Sequence, residues 1–75
     1  MITRENILKS LGDDRIEFEC YNGIFAFELK EYSEKYIDEN GFEITHCVYT
    51  PKLTDLSIEQ WVEEGREFIA LIDEK

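Results

Sequence analysis

The sequence predicts a small α+β domain in which an antiparallel three-stranded sheet has helices packed on one face. An Asn-Gly turn lies between two alternating runs, and a capped amphipathic run lies near the C-terminus. The chain has 75 residues, which suits one domain, 1–75, with a single thin core. We expect the element order α-β-β-(α)-β-α, in which the bracketed helix has a competing interpretation.

The first predicted element is a short helix that begins after Thr3 and ends near Leu11. Thr3 is a favourable N-cap residue, and Ile2 and Ile7 occupy the positions of a hydrophobic staple. Gly12 follows as a C-terminal stop, because glycine adopts the left-handed conformation that often ends helices.

A β-hairpin is the strongest local prediction. Asn22-Gly23 separates the alternating runs 15–21 and 24–31, and both turn residues tolerate the positive φ of a type I′ turn. A two-residue turn determines the register and therefore which side chains share a face. The apolar face then holds Cys20 opposite Phe25, Phe18 opposite Phe27, and Ile16 opposite Leu29. The other face holds Glu17 opposite Glu28, Glu19 opposite Ala26, and Tyr21 opposite Ile24.

Residues 33–40 allow two interpretations. The preferred one is a short helix that is capped by Ser33 and ended by Gly41. Acidic residues near the end of this helix oppose it, because they lie at the negative end of the helix dipole. The other interpretation is a second hairpin that pairs Ile37 with Ile44.

A third strand is expected over residues 42–50. Phe42, Ile44 and Val48 would lie on one face of it, and Pro51 would end it.

The clearest helix follows a short loop. Ser57 and Gln60 form a capping box, and Leu56 and Trp61 occupy the positions of a staple. Gly65 within this helix either admits a close approach of the sheet or is a tolerated defect. The apolar stripe at helical spacing comprises Ile58, Trp61, Val62, Gly65, Phe68, Ile69 and Ile72.

The charge balance limits the class of partner. The chain has 18 acidic and 8 basic residues and a net charge of -10. This charge repels nucleic acids and anionic membranes, and the basic residues are scattered along the sequence, so a basic protein is the expected partner.

The expected compartment is the cytoplasm. No apolar run approaches the length of a membrane span, and the N-terminus lacks the apolar run of a signal peptide. Cys20 and Cys47 are therefore expected to be reduced, with a single disulfide between them as the alternative.

No pattern in the sequence indicates a reaction. Cys20, His46 and Cys47 lack the spacing of a structural metal site, and neighbouring strand residues point to opposite faces. The sequence has no Gly-rich phosphate loop. We therefore expect no catalytic residue, no metal and no cofactor, and a protein that is not an enzyme. An enzyme that uses His46 as its titrating group is the weaker hypothesis.

Two acidic surfaces are the candidate contacts with a partner. One is a ridge on the last helix, with Glu59, Glu63 and Glu67 four residues apart. The other is the outer face of the hairpin, extended by Asp13 and Asp14. It comprises Glu17, Glu19 and Glu28, with Tyr21 as an aromatic anchor. Tyr32, Tyr36 and Tyr49 either add to this surface or pack into the core.

We expect a small acidic inhibitor that occludes the basic, nucleic-acid-binding surface of a partner such as a nuclease. Its carboxylates would stand in for phosphates, as in phage-encoded inhibitors of restriction or CRISPR nucleases, an analogy of size and charge. The alternative is a generic interaction domain, such as an immunity protein, an antitoxin or an accessory subunit, that binds through an exposed sheet face. A homodimer through strand edges or sheet faces is a variant of that alternative.

Overall fold

The chain folds as a three-stranded antiparallel sheet with two helices packed on one face, in the order α-β-β-β-α. This computed structural model describes residues 2–31 and 33–75, and Tyr32 lies outside them. The elements are helix α1 (Arg4–Leu11), strands β1 (Ile16–Tyr21), β2 (Ile24–Leu29) and β3 (His46–Tyr49), and helix α2 (Ile58–Asp73). Single turns of 3₁₀ helix at Glu34–Tyr36 and Leu53–Asp55 lie on either side of β3.

The predicted hairpin is confirmed in its turn and register. Asn22 and Gly23 both have positive φ, as a type I′ turn requires. Phe18 pairs with Phe27, and Ile16 pairs with Leu29. β2 is the central strand, because β3 pairs along its other edge.

The core lies between the inner face of the sheet and the two helices. Phe27 is fully buried and lies 4.6 Å from Phe18 between ring centroids. Trp61 is also fully buried, and its indole Nε1 donates a 2.7 Å hydrogen bond to the Leu53 carbonyl. That bond satisfies the only polar atom of the indole, so the largest core side chain is buried without an unpaired donor.

Both helices begin as the sequence predicts. The Thr3 hydroxyl accepts a hydrogen bond from the Asn6 amide, and Gly12 ends α1 with a φ of 66°. At α2, Ser57 and Gln60 form the reciprocal capping box. Each cap satisfies amides that have no partner inside the helix.

Gly65 lies where α2 packs closely against α1 and the central strand. A Cβ added at this position would overlap the Leu11 side chain and would lie 3.1 Å from Phe27 Cε1. Of the two interpretations of Gly65, the structure favours close approach, and the main neighbour is α1 rather than the sheet.

The segment 33–40 combines parts of both interpretations. Ser33 caps a single 3₁₀ turn instead of a longer helix. The chain then forms an isolated bridge between Ile37 and Glu43, one residue away from the predicted pairing with Ile44. The cause is Asp38, whose carboxylate accepts hydrogen bonds from the amides of residues 40 and 42 and so stabilises a turn instead of a helix.

The third strand is shorter than predicted. It spans His46–Tyr49 instead of residues 42–50, and Phe42 is 70% exposed, so its expected place on an apolar face is wrong. Phe42 belongs to the turn that Asp38 organises, which carries it away from the sheet.

The two thiols are free. Cys20 has the predicted register opposite Phe25, but it is exposed because it lies at the turn end of an edge strand. Cys47 lies on β3 and pairs with Ala26, on the other face of the sheet. Two strand spacings separate β1 from β3, about 9.5 Å, which is too far for a disulfide.

Candidate interaction surfaces

The face of the sheet that points away from the helices is open. We call this surface the open sheet face. It is formed by alternate residues of the three strands: Glu17, Glu19, Tyr21, Ile24, Ala26, Glu28, Cys47 and Tyr49. The inner residues of the same strands form the aromatic core, so the alternation that builds the core also builds this surface.

One end of the open sheet face is aromatic. Tyr21, Ile24 and Tyr49 form a row across the three strands, since Ile24 pairs with both tyrosines. Tyr21 is 52% exposed and Tyr49 is 75% exposed. Of the tyrosines with an undecided role, Tyr49 therefore joins the surface, whereas Tyr36 packs against the core.

Tyr21 leans along the sheet towards its acidic end. Its hydroxyl donates a 3.3 Å hydrogen bond to Glu28 Oε1, across the row formed by Glu19 and Ala26. Ala26 is only 3% exposed, as expected for a small residue beneath larger neighbours. Partial burial and then the charge of Glu28 raise the pKa of Tyr21, so its hydroxyl remains neutral and available as a donor.

The other end of the open sheet face is acidic. Glu17 lies directly opposite Glu28, an unfavourable cross-strand pair of like charges. Glu19 has a partner, because Arg4 of α1 reaches over the edge of the sheet to within 3.2 Å of its carboxylate. The negative charge is therefore concentrated at Glu17 and Glu28.

Asp13 has a structural role next to this surface. Its carboxylate accepts a 2.9 Å hydrogen bond from Arg15 Nε, and Arg15 also lies 3.0 Å from Asp73. The hydrogen bond from Arg15 lowers the pKa of Asp13, and the two carboxylates in turn raise the pKa of Arg15. Arg15, next to the start of β1, thus bridges Asp13 and Asp73 at the end of α2, so the charge of Asp13 is paired within the molecule.

The second acidic surface, the α2 ridge, comprises Glu59, Glu63 and Glu67, all of which are exposed. It lies on the side of α2 away from the buried stripe. Since α2 covers the inner face of the sheet, the ridge and the open sheet face lie on opposite sides of the molecule. The structure therefore divides the predicted contact residues into two sets that one flat partner surface cannot touch together.

A third group of polar side chains was not predicted. His46 lies on the inner face of β3, and its Nε2 is 2.7 Å from Glu64 Oε2 and 3.6 Å from Glu67 Oε2. His46 and Cys47 are neighbours on a strand and were expected to point to opposite faces, and Cys47 does point to the open sheet face. The i, i+3 spacing of Glu64 and Glu67 was the one indication available, since it places both carboxylates on adjacent positions of a helix surface.

One surface groove lies at the open end of the hairpin and has a volume of about 380 Å³. Arg15, Lys30 and Tyr36 contribute to its walls. Arg15 is already held by Asp13 and Asp73, so this groove does not present it as a free cation.

No protein-family model, curated protein or solved structure matches this chain. Within the described residues, neither helix combines the length and the apolar composition that a membrane span requires.

Proposed function

We propose that the protein is a small acidic inhibitor that uses its open sheet face to occlude a basic, nucleic-acid-binding surface of another protein. The observation that supports this most directly is the composition of that face. Exposed tyrosines lie at one end of it, and at the other lie two carboxylates, Glu17 and Glu28, that form no ion pair with a lysine or arginine of the described residues. The proposal includes a cytoplasmic location and no enzymatic activity.

The partner is proposed to be basic because of charge complementarity. The chain has a net charge of -10, and Glu17 and Glu28 repel each other in the free protein. A lysine or arginine placed between them would relieve this repulsion. A surface that normally holds phosphates presents such side chains in rows. Association would therefore be fast and sensitive to salt, because the long-range field steers the encounter.

The tyrosines are proposed to supply binding affinity that the charges alone do not give. Exposed ion pairs contribute little affinity, whereas tyrosine is frequent among residues that dominate binding energy. Tyr21 and Tyr49 flank Ile24 and form an apolar patch at the end of the face opposite to Glu17 and Glu28. The α2 ridge has carboxylates without such a patch. We therefore propose that the ridge contributes to the long-range electrostatic field, and that the open sheet face makes the direct contact with the partner.

The experiment is affinity capture from a host lysate at low and high salt, with mass spectrometry to identify the bound protein. We expect a nucleic-acid enzyme that is retained at low salt and released at high salt, since screening weakens charge-steered binding. Duplex DNA added at low salt should also release it, because both ligands would occupy the same surface. A bound partner that DNA does not displace would contradict occlusion of a nucleic-acid site.

Matched aromatic variants test the face. With the captured partner, Tyr21→Ala and Tyr49→Ala should each weaken binding about tenfold or more, as truncation of interface anchors does. Phe42→Ala is the control, since Phe42 is equally exposed but lies in a turn outside the sheet. Equal effects of Tyr49→Ala and Phe42→Ala would show that the open sheet face is not the contact.

The second candidate is an interaction domain in which apolar contacts outweigh charge, including a homodimer. The exposure of Tyr49 and Phe42 favours it. This candidate predicts that binding to the partner persists at high salt. Light scattering at several protein concentrations would detect self-association.

A further inference from the structure

We propose that His46, Glu64 and Glu67 form a binding site for a divalent first-row transition-metal ion of the Zn²⁺ type. The three side chains come from two elements, β3 and α2, and their candidate ligand atoms all lie within 4.8 Å of one another. The site lies on the helix side of the sheet, apart from the open sheet face. It is therefore separate from the contact surface proposed above, and it shares only Glu67 with the α2 ridge.

The distances suit a metal ion after a small adjustment. Zn²⁺ binds nitrogen and carboxylate oxygen at about 2.0–2.2 Å, so ligand atoms in a tetrahedral set lie about 3.4 Å apart. In the structure His46 Nε2 lies 2.7 Å from Glu64 and 3.6 Å from Glu67. These values lie on either side of the ideal one. The ion would replace the hydrogen bond between His46 and Glu64 with two coordination bonds.

The fold holds the ligands in place before the ion binds. Glu64 and Glu67 are three residues apart on a 16-residue helix, so both project from one side of it. The His46 ring stacks on the buried ring of Phe27, with centroids 6.4 Å apart and an interplanar angle of 25°. A site on a strand and a helix has ligands that are better positioned than ligands on loops.

The charge of the cluster favours a cation. Two carboxylates converge on one imidazole, and within residues 2–31 and 33–75 neither carboxylate forms an ion pair with a lysine or arginine. The net charge of the molecule adds a long-range attraction for cations. One imidazole with two carboxylates suits the divalent ions of the first transition row, and a thiolate ligand is not involved because Cys47 points to the other face.

The test is calorimetric titration of Zn²⁺ into the full chain and three variants. We expect one equivalent to bind to the unmodified chain and the affinity to fall at least about tenfold in Glu67→Gln and in His46→Gln, because each loses a direct ligand. Glu63→Gln is the matched control. It removes one carboxylate from the same helix without touching the cluster, so its affinity should remain within about twofold of the unmodified chain.

Two results would overturn the proposal. One is the absence of saturable Zn²⁺ binding up to about 1 mM, the weak end of protein metal affinities. The other is equal affinity in Glu67→Gln and Glu63→Gln, which would place the ion on other carboxylates. Glu67 is 62% exposed, so its substitution leaves the packing intact and the comparison does not depend on the folding of the His46 variant. The His46 imidazole ¹⁵N resonance supplies a second measurement, since it must shift when one equivalent of Zn²⁺ is added.

Discussion

The two faces of the same sheet use neighbouring residues for opposite purposes. On the inner face, Phe18 and Phe27 form a pair that is almost completely buried. One position further along each strand, Glu17 and Glu28 form a pair of like charges on the open sheet face. The first pair stabilises the fold, and the second reduces its stability by a few tenths of a kcal/mol.

This difference indicates that the residues of the inner face suit stability and that those of the open sheet face do not. A surface chosen only for stability would place opposite charges across β1 and β2, as many antiparallel sheets do. The open sheet face instead combines unpaired acid with exposed tyrosine. Substitutions on the inner face should therefore change folding, and those on the open sheet face should change binding.

The largest expected effect is on the inner face. Phe27→Ala should lower the free energy of unfolding by about 3–5 kcal/mol, because it removes a fully buried ring from the centre of the aromatic cluster. Urea unfolding followed by circular dichroism measures this loss. A domain of this size has only about 4–11 kcal/mol in total, so Phe27→Leu supplies a milder variant that should remain folded. Tyr49→Ala on the open sheet face should change the same quantity by less than about 0.5 kcal/mol.

Gly65→Ala tests how tightly the helices pack on the inner face. Alanine normally stabilises a helix by about 1 kcal/mol relative to glycine. At Gly65 we expect a net loss of about 1–2 kcal/mol, since the new methyl group meets Leu11 and then Phe27. Thermal unfolding of Gly65→Ala, Leu11→Ala and the double variant gives a double-mutant cycle. The cycle measures the steric repulsion between the new methyl group and the Leu11 side chain. A stabilised Gly65→Ala single variant would show that Leu11 moves aside without cost.

Asp13→Asn measures how much a carboxylate that is paired with an arginine contributes to stability. Arg15 lowers the pKa of Asp13 in the folded state, so its stabilisation is present above the unfolded pKa and is lost as the pH falls through the folded pKa. We expect Asp13→Asn to lower stability by about 1 kcal/mol or less at pH 7, because Arg15 is partly exposed. The difference from the unmodified chain should shrink as the pH falls through the folded pKa of Asp13. Taking the difference also removes the general effect of titrating the other carboxylates.

The elements that obey local rules could be predicted from the sequence. The Asn22-Gly23 turn determined the register of the hairpin, and the box of Ser57 and Gln60 determined the start of α2. The alternation of β1 and β2 then placed Glu17 on the outer face. Each of these predictions depends on residues that are close in sequence, where turn and cap chemistry is specific.

The remaining features depend on competition or on long-range packing. In the segment 33–40, the side chain of Asp38 stabilises a turn at the expense of a helix. The residue types of this segment are compatible with a helix and with a turn, so the sequence did not decide between them. The contact of His46 with Glu64 depends on how β3 faces α2, which no local pattern determines. For that reason the cluster of His46, Glu64 and Glu67 was not predicted, although the spacing of its two glutamates was visible.

The smallest effect on stability gives the sharpest comparison of surfaces. Glu17→Lys should raise the free energy of unfolding by about 0.3–1 kcal/mol, because it converts the repulsive pair with Glu28 into an attractive one. Glu63→Lys on the α2 ridge makes the same change of charge. It should also stabilise the protein by a few tenths of a kcal/mol, since it relieves repulsion at i, i+4 positions with Glu59 and Glu67. Urea unfolding measures both.

The two lysine variants should then differ in binding to the captured partner. Glu17→Lys should weaken it about tenfold or more and reduce its dependence on salt, because it removes a carboxylate from the contact. Glu63→Lys should slow association only slightly, since it changes the distant field. If both variants lose affinity equally, net charge and not the open sheet face determines recognition. If Glu17→Lys alone raises the free energy of unfolding and lowers the affinity for the partner, the repulsion between Glu17 and Glu28 is maintained for binding.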